Sequence, residues 1–228
     1  MDITFRCLPR FEATLPRPIP ALQGLPQWLK DMPATVYSEL QEQDTLTVKQ
    51  CPPFIDAMTS GFLMPLAADV KVEDGVFTWD ANDLGGETPI NFHENIQVKG
   101  TPLYHDEFCL VRFNNFWTIE TPPGYSLLVM HPANRPDLPF LTSTGLVDSD
   151  QYNNMFVNFS ARFDPRFNGT LAKGTPVAQC FPFKRESWLP QIATMDDAAM
   201  QRLVDLSAAL NSEAGVYRRQ FRVPKHRR

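Results

Sequence analysis

The sequence predicts a mainly β protein with a proline-rich N-terminal wrap and one C-terminal α-helix. Short runs of β-forming residues are separated by glycine and proline, and the 21 prolines disfavour a helical bundle. Only one segment, near the C-terminus, has apolar residues at helical spacing. These observations favour a compact barrel or sandwich of short strands. The 228 residues are enough to bury a substantial core.

Residues 1–44 are predicted to form an extended arm on a β-barrel domain that covers 1–192. Proline recurs five times from Leu15 to Pro33, which prevents a regular helix or a central strand. Trp28 and Leu29 are expected to anchor the arm on one helical turn. Alternatively, the prolines form a polyproline II ligand for an SH3-type domain.

The middle of the chain contains the strongest hairpin pattern. Asp74-Gly75 lies between two β-forming runs, and this dipeptide suits the positive φ angles of a tight hairpin turn. Further along, Tyr125 to His131 is rich in β-formers, and Val177 to Phe183 is an apolar run after a tight turn. Residues 155–163 alternate apolar and polar, which predicts a half-buried strand.

Residues 193–215 are predicted to form the C-terminal helix. Thr194 is expected to cap it, and apolar residues recur on one face from Ala199 to Leu210, which favours a docking face over a cofactor site. The segment 216–228 is a strongly basic tail on a chain of formal net charge −5. The tail either binds nucleic acid or is a charged end that aids solubility.

Composition limits the compartment and the metal chemistry. Four scattered cysteines without a C-x-x-C pair indicate reduced thiols and no structural zinc site. The chain has no signal-peptide pattern and no apolar run long enough to cross a membrane, so a cytoplasmic protein is expected. His93 and Glu94, with His105-Asp106-Glu107, offer a weaker alternative, a metal-dependent oxygenase on a jelly roll.

Three motifs resemble those of dUTPases, in the order and near the spacing of that family. Thr121 to Val129 is similar to the I-P-P-G-Y strand, Gly145 to Asp150 to the G-[VL]-I-D-x-D-Y element, and Lys173 to Gln179 to G-[DE]-R-I-A-Q. The resemblance to the dUTPase and dCTP deaminase (β-clip) superfamily covers residues 117–183. It implies a dUTPase-like β-clip barrel and a trimer with sites between subunits. Residues 51–70 also resemble an uncharacterised family of proteobacterial and tailed-phage proteins.

The dUTPase resemblance implies a nucleotide-binding protein and, in catalytic form, a Mg²⁺-dependent nucleoside triphosphate pyrophosphohydrolase. Asp148 would be the base, because an ionised carboxylate can activate water against Mg²⁺-bound phosphates. The other candidate contacts are Asp150 as a supporting carboxylate, Tyr152 on the sugar, Arg135 on phosphate, Asn134 and His131 at the pocket, and Gln179, which either pairs strands or faces the phosphate.

Two departures from the family keep a non-catalytic, phage-related binding or assembly protein as the alternative. Gln151 stands where the family has its tyrosine, so Tyr152 comes one residue later, which in a strand turns it to the opposite face. Residues 132–135 replace the family's P-R-S-G. Asp148 and Asp150 also fit a plain turn in which carboxylates accept hydrogen bonds from nearby backbone N–H groups.

Overall fold

A computed structural model describes residues 1–104, 108–213 and 215–223. Over this range the protein is mainly β, as predicted, with short strands and four α-helices. In chain order the strands are β1 Thr4–Arg6, β2 Ile19–Pro20, β3 Thr35–Ser38, β4 Gln43–Leu46, β5 Phe62–Pro65, β6 Val70–Glu73, β7 Val76–Thr78, β8 Ile90–Phe92, β9 Cys109–Phe113, β10 Thr118–Glu120, β11 Tyr125–Met130, β12 Phe140–Thr142, β13 Gly145–Val147, β14 Phe159–Phe163, β15 Gly169–Leu171 and β16 Pro176–Lys184. The helices are α1 Gln27–Asp31, α2 Pro52–Thr59, α3 Asp197–Ser212 and α4 Val216–Gln220.

The strands form five antiparallel sheets. The largest has the order β13-β11-β16-β5-β2, the next β12-β14-β9-β8 and the third β15-β6-β7, while β1-β10 and β3-β4 are pairs. Among the described strands no sheet closes on itself, so strand pairing does not form the predicted barrel. Prolines are one physical reason, because Pro20 has no N–H to donate to a further strand and Pro176 lies at a register shift between β16 and β5.

The chain divides into two compact units. The first, Met1–Lys30 with Ala57–Arg185, contains every sheet except the β3-β4 pair. Its core is aromatic: the Phe163 ring lies edge-on to Phe77 at 5.0 Å between centroids, and Phe113 meets Phe140 at 4.8 Å. Burying such side chains contributes about 1.5–3 kcal/mol each. The core therefore fixes the registers that position the candidate site.

Part of the proline-rich segment packs within the first unit. Leu29 is buried and Trp28 half-buried on the single helical turn of α1. The indole Nε1 of Trp117 donates to the Pro16 carbonyl at 3.0 Å, which ties the arm to the first unit. The extended arm over residues 1–44 and the SH3-type ligand both stay predictions; residues 1–30 belong to the first unit and residues 31–44 to the second.

The hairpin prediction is confirmed, whereas the predicted strand over residues 155–163 is too long. Asp74 and Gly75 have φ angles of 48° and 77°, and they join β6 to β7. In the later segment only β14 is a strand. Before it, the Asn158 side chain accepts from the Asn115 backbone N–H at 3.0 Å. Phe156 forms only an isolated bridge to Thr118, so regular pairing starts at Phe159 and the alternating pattern did not mark the start of the strand.

The second unit, Asp31–Asp56 with Glu186–Arg228, contains the β3-β4 hairpin and the predicted C-terminal helix. Thr194 is the wrong cap: the Asp196 carboxylate accepts from the Ala199 N–H at 2.7 Å, and its charge also favours the helix dipole. No described side chain of α3 is buried, so its predicted docking face lies open in this unit. Residues 224–228 lie outside the described range, and the role of the basic tail stays a prediction.

Candidate functional site

The predicted site residues lie at opposite ends of β11, the second strand of the five-stranded sheet. Asp148 follows Val147, which pairs with Leu127, whereas Gln179 pairs with Met130. The two side chains are therefore separated by β11 and by about 14 Å along it. Asp148 and Gln179 therefore do not lie on adjoining strands, because β13 and β16 pair with opposite edges of β11.

The carboxylate end is built around Asp150, whose side chain is only 2% exposed. One oxygen accepts from the Gly124 backbone N–H at 2.8 Å, and the Arg185 guanidinium binds both oxygens, at 2.8 and 2.5 Å. Arg185 holds the pKa of Asp150 well below its usual range by bonding the ionised form. The Asp150 carboxylate thus joins its own turn to the 121–125 turn and to Arg185, which favours a structural role for this residue.

Asp148 is more open, with its side chain 66% exposed. Ser126 Oγ donates to its Oδ1 at 2.5 Å, and Arg185 Nη1 approaches the same oxygen at 3.3 Å. The backbone N–H of Tyr152 donates to the Asp148 carbonyl at 2.8 Å, so these residues form a turn and not a strand. The strand-face argument about Tyr152 therefore does not apply, and its side chain is about half-exposed.

The hydroxyl groups next to the two aspartates also form their hydrogen bonds within the protein. Ser149 is fully buried, and its hydroxyl shares a 2.8 Å hydrogen bond with that of Thr121. Thr121 Oγ1 also bonds to the Tyr125 carbonyl at 3.1 Å. Hydrogen bonds therefore link the 121–125 turn to the aspartate turn, which is an arrangement suited to holding strand ends together.

At the other end of β11, Gln179 is 1% exposed and uses both ends of its amide inside the protein. Its Oε1 accepts from the Ala133 N–H at 2.8 Å, and its Nε2 donates to the carbonyls of Ala57 and Ser60 at 2.9 and 2.7 Å. Two roles were predicted for Gln179, strand pairing and a phosphate contact. Because its amide bonds only within the protein, the geometry favours the structural role over the phosphate contact.

Arg135 is likewise occupied. Its Nε and Nη2 donate to the Asp137 carboxylate at 2.8–3.1 Å, and its side chain is only 12% exposed. Asn134, in the same turn, has a positive φ of 55°, a conformation that asparagine tolerates better than most residues. This turn presents backbone and apolar surface, and its cation is already neutralised.

His131 is the predicted residue that faces open space. Its Nε2 bonds to the Arg135 carbonyl at 3.0 Å, and its Nδ1 accepts from the Thr142 N–H at 3.3 Å. These bonds fix a neutral tautomer with the proton on Nε2. Burial lowers the pKa of His131, which also favours the neutral ring.

His131 lines a cavity of about 630 Å³, which we call the first cavity. Four segments contribute to it: residues 93–103 after β8, the end of β11, residues 141–144, and β14 with β9. Its walls are largely apolar, with a few hydroxyls. The lining side chains on which the argument depends are His93, Gln97, Leu110, Met130, Ser160 and Arg162. The volume is in the range of small-molecule sites.

Two side chains that line the first cavity, those of His93 and Arg162, have polar groups without a hydrogen-bond or carboxylate partner among the described residues. His93 Nε2 is buried and has no hydrogen-bond partner among the described residues. The Arg162 guanidinium lies 4.4 Å from the Phe108 ring centroid and makes no salt bridge to any carboxylate in the described part of the chain. A buried polar atom without a partner costs free energy, so a ligand that bonded to it would gain affinity.

This cavity could not be predicted from the sequence, although the sequence contains one signal for it. Ser160 and Arg162 alternate with buried residues along β14, so they share the outer face of the four-stranded sheet. The pattern does not say that the 93–103 segment comes to line that face. His93 was considered only as a metal ligand; within the described ranges no group of three metal-ligating side chains occurs, and residues 105–107 lie outside them.

Comparison with known proteins does not identify the chain. Neither a scan against protein-family models nor a search of the curated proteins finds a match. The dUTPase resemblance therefore rests on its three motifs. Among the described helices, none has the length and apolar character needed to cross a bilayer.

Proposed function

We propose that this protein binds a small molecule of the nucleotide class in the first cavity. The observation that carries the proposal is a cavity with largely apolar walls lined by His93, whose Nε2 has no hydrogen-bond partner among the described residues, and by Arg162, which has no carboxylate partner among them. Apolar walls suit a base, a planar guanidinium suits a phosphate oxygen pair, and a histidine nitrogen can orient a polar substituent. The dUTPase-like motifs suggest the same class of ligand, but their aspartates lie at the other end of β11 and do not line this cavity.

The hydrolase version is a second candidate that depends on one feature of Asp148. Its Oδ2 accepts no hydrogen bond from the described residues, and its side chain is largely exposed, so it could still act as a base toward a Mg²⁺-bound nucleotide. The neighbouring hydrogen bonds favour a structural role for this turn. Release of pyrophosphate from a deoxynucleoside triphosphate with Mg²⁺, lost in Asp148→Asn, would support the hydrolase.

A thermal-shift screen tests the binding function. The probes are dUMP, dTMP, dCMP, the matching triphosphates with and without Mg²⁺, and inorganic phosphate. A ligand at about 100 times its Kd adds about 2.7 kcal/mol of stability, or about 5–10 °C in melting temperature for a chain of this size. A nucleotide-specific shift is the expected result. No shift with any probe would remove the proposal and favour a non-catalytic assembly protein.

Matched variants locate the binding. Arg162→Gln keeps a polar side chain but removes the charge, and it is expected to weaken nucleotide binding by at least about tenfold. Arg6→Gln is the control, because Arg6 is an exposed surface arginine that does not line the cavity. Equal weakening in both variants would mean that overall charge, and not the cavity, controls binding.

The remaining expectations are proposals with simple tests. The trimer implied by the β-clip resemblance predicts a mass of about three chains in light scattering. Nucleic-acid binding through the tail predicts strongly salt-dependent affinity for single-stranded DNA. The jelly-roll oxygenase predicts bound iron in the purified protein.

A further inference from the structure

Beside the first cavity lies a second one of about 580 Å³, and the two share a wall. His131, Leu141 and Arg162 line both. Leu141 on β12 and Arg162 on β14 are direct cross-strand partners. The shared wall thus contains a cross-strand pair of fixed register, and one member of that pair, Arg162, lines both cavities.

The two cavities differ in chemistry. The first has hydroxyls and the unpartnered His93 Nε2. The second is lined mainly by ring and apolar side chains, including Phe108, Pro136, Leu138 and Pro139. Flat apolar and aromatic surfaces accept a planar base by stacking without reading its hydrogen-bonding edge. Each cavity therefore suits one base, with different degrees of selectivity.

The charges of the side chains that line the two cavities restrict which chemical group can join the two bases. Among the described lining residues of both cavities the cations are Arg135 and Arg162. Arg135 is neutralised by Asp137, while the lining carboxylate of Asp164 is held by Arg166. One guanidinium, that of Arg162, is left at the shared wall. A single unpaired cation matches the one negative charge of a phosphodiester and not the several charges of a triphosphate.

We infer that the ligand contains two bases joined by a phosphodiester, with the phosphate on Arg162 and one base in each cavity. Because Arg162 stacks on Phe108, its N–H edge is held in a fixed plane for two-point contact with phosphate oxygens. This inference rests on the proposed function and names its ligand chemistry. The source is either a free dinucleotide or a segment of single-stranded nucleic acid.

Calorimetric titration with dTMP, dTpdT and dTTP tests the inference. We expect dTpdT to bind at least about tenfold more tightly than dTMP, since the second base adds a stacking contact, and dTTP to gain nothing over dTMP. Arg162→Gln should weaken dTpdT by about tenfold or more. Equal affinities for dTMP and dTpdT would overturn the two-cavity ligand but leave nucleotide binding in place; no binding of either would overturn both.

Two matched variants separate the cavities. Gln97 lines only the first cavity and Pro136 only the second, and both are exposed, so a tryptophan at either position fills space without entering the core. Pro136→Trp should reduce dTpdT to the affinity of dTMP and leave dTMP unchanged, whereas Gln97→Trp should weaken both. A preference for dTpdT that survives Pro136→Trp contradicts the inference. Melting curves confirm that each variant is folded.

A short thymidine oligonucleotide distinguishes the two sources. If the oligonucleotide binds more tightly than dTpdT and Pro136→Trp still weakens its binding, the phosphodiester belongs to a nucleic-acid strand. Affinity no greater than that of dTpdT assigns it to a free dinucleotide. If the oligonucleotide binds more tightly than dTpdT but neither Pro136→Trp nor Arg162→Gln weakens its binding, it binds elsewhere on the protein. That result would overturn the inference.

Discussion

The two ends of β11 differ in how their polar groups are satisfied. At the Tyr125 end, Asp150 bonds to Arg185 and to the Gly124 N–H, and Ser149 bonds to Thr121, so these polar groups are paired within the protein. At the His131 end, His93 and Arg162 line a cavity; among the described residues the buried His93 Nε2 has no hydrogen-bond partner and the Arg162 guanidinium has no carboxylate partner. The first end resembles a known catalytic motif but is arranged as a structural turn. The second has no recognisable motif but has unmet bonding capacity.

This difference shows that resemblance to a motif and the presence of polar groups without partners are separate indications of a functional site. A turn with two aspartates serves equally well to close a strand end, because each carboxylate accepts several hydrogen bonds. Polar groups without hydrogen-bond partners can be recognised only in the folded structure, where residues distant in sequence come together. The following predictions test which end of β11 has which role, from the largest expected effect to the smallest.

Gln179→Leu is expected to cost the most stability, because it leaves three backbone groups without their bonds. Buried groups of this kind cost about 1–3 kcal/mol each, so we expect a loss of about 3 kcal/mol or more in the free energy of unfolding. Urea denaturation measures it. Gln43→Leu, at an exposed glutamine of β4, is the control and should stay within about 0.5 kcal/mol. A small loss in Gln179→Leu would reopen its role as a ligand contact.

Asp150→Asn should lower the melting temperature at neutral pH by less than Gln179→Leu does. The pKa of Asp150 is lower in the folded state, so its ion pair with Arg185 stabilises the fold above the unfolded pKa of about 3.9. That contribution is lost as pH falls through the folded pKa. The wild type should therefore lose melting temperature below about pH 4 more steeply than the variant. Parallel pH profiles would show that the network contributes nothing.

His131→Gln is expected to change the pH dependence of stability in a different window. Because burial lowers the pKa of His131, the unfolded chain binds its proton more readily, and stability falls as pH drops below about 6.5. The variant, which does not titrate, should lose this slope between about pH 6.5 and 5 while keeping the acid-range slope of Asp150. Melting curves across this range measure it; an unchanged slope would contradict a buried, neutral ring.

Asp148→Asn should have the smallest effect. The carboxylate is exposed, and asparagine can still accept from Ser126, so stability should stay within about 0.5 kcal/mol and nucleotide affinity within about twofold. Calorimetry and thermal melting measure both. Loss of nucleotide binding in this variant would move the site to the carboxylate end of β11.

Local sequence patterns predicted much of the fold. The β6-β7 turn follows from Asp74-Gly75, because this dipeptide accepts two positive φ angles, and α3 follows from apolar spacing. Closure of a barrel could not be predicted, since it depends on which edges meet and not on any one strand. Thr194 failed as a cap because a better acceptor, Asp196, stands two residues later.

The candidate site was less predictable than the fold. His131 was found because it lies beside a turn at the end of a strand. His93 and Arg162 were not, because they meet only through the pairing of β8 with β9 and of β9 with β14. Period-two alternation places Arg162 on an outer face, but it does not predict that the segment after β8 lines the same space.

The most direct test is a map of backbone amide chemical shifts during titration with dTMP. We predict that the amides of Ser143, Thr144 and Ser160, around the first cavity, move with ligand concentration, whereas those of Gly124 and Ser149 do not. Shifts concentrated at Gly124 and Ser149, with the cavity amides unchanged, would contradict the assignment of the binding site to the His131 end of β11.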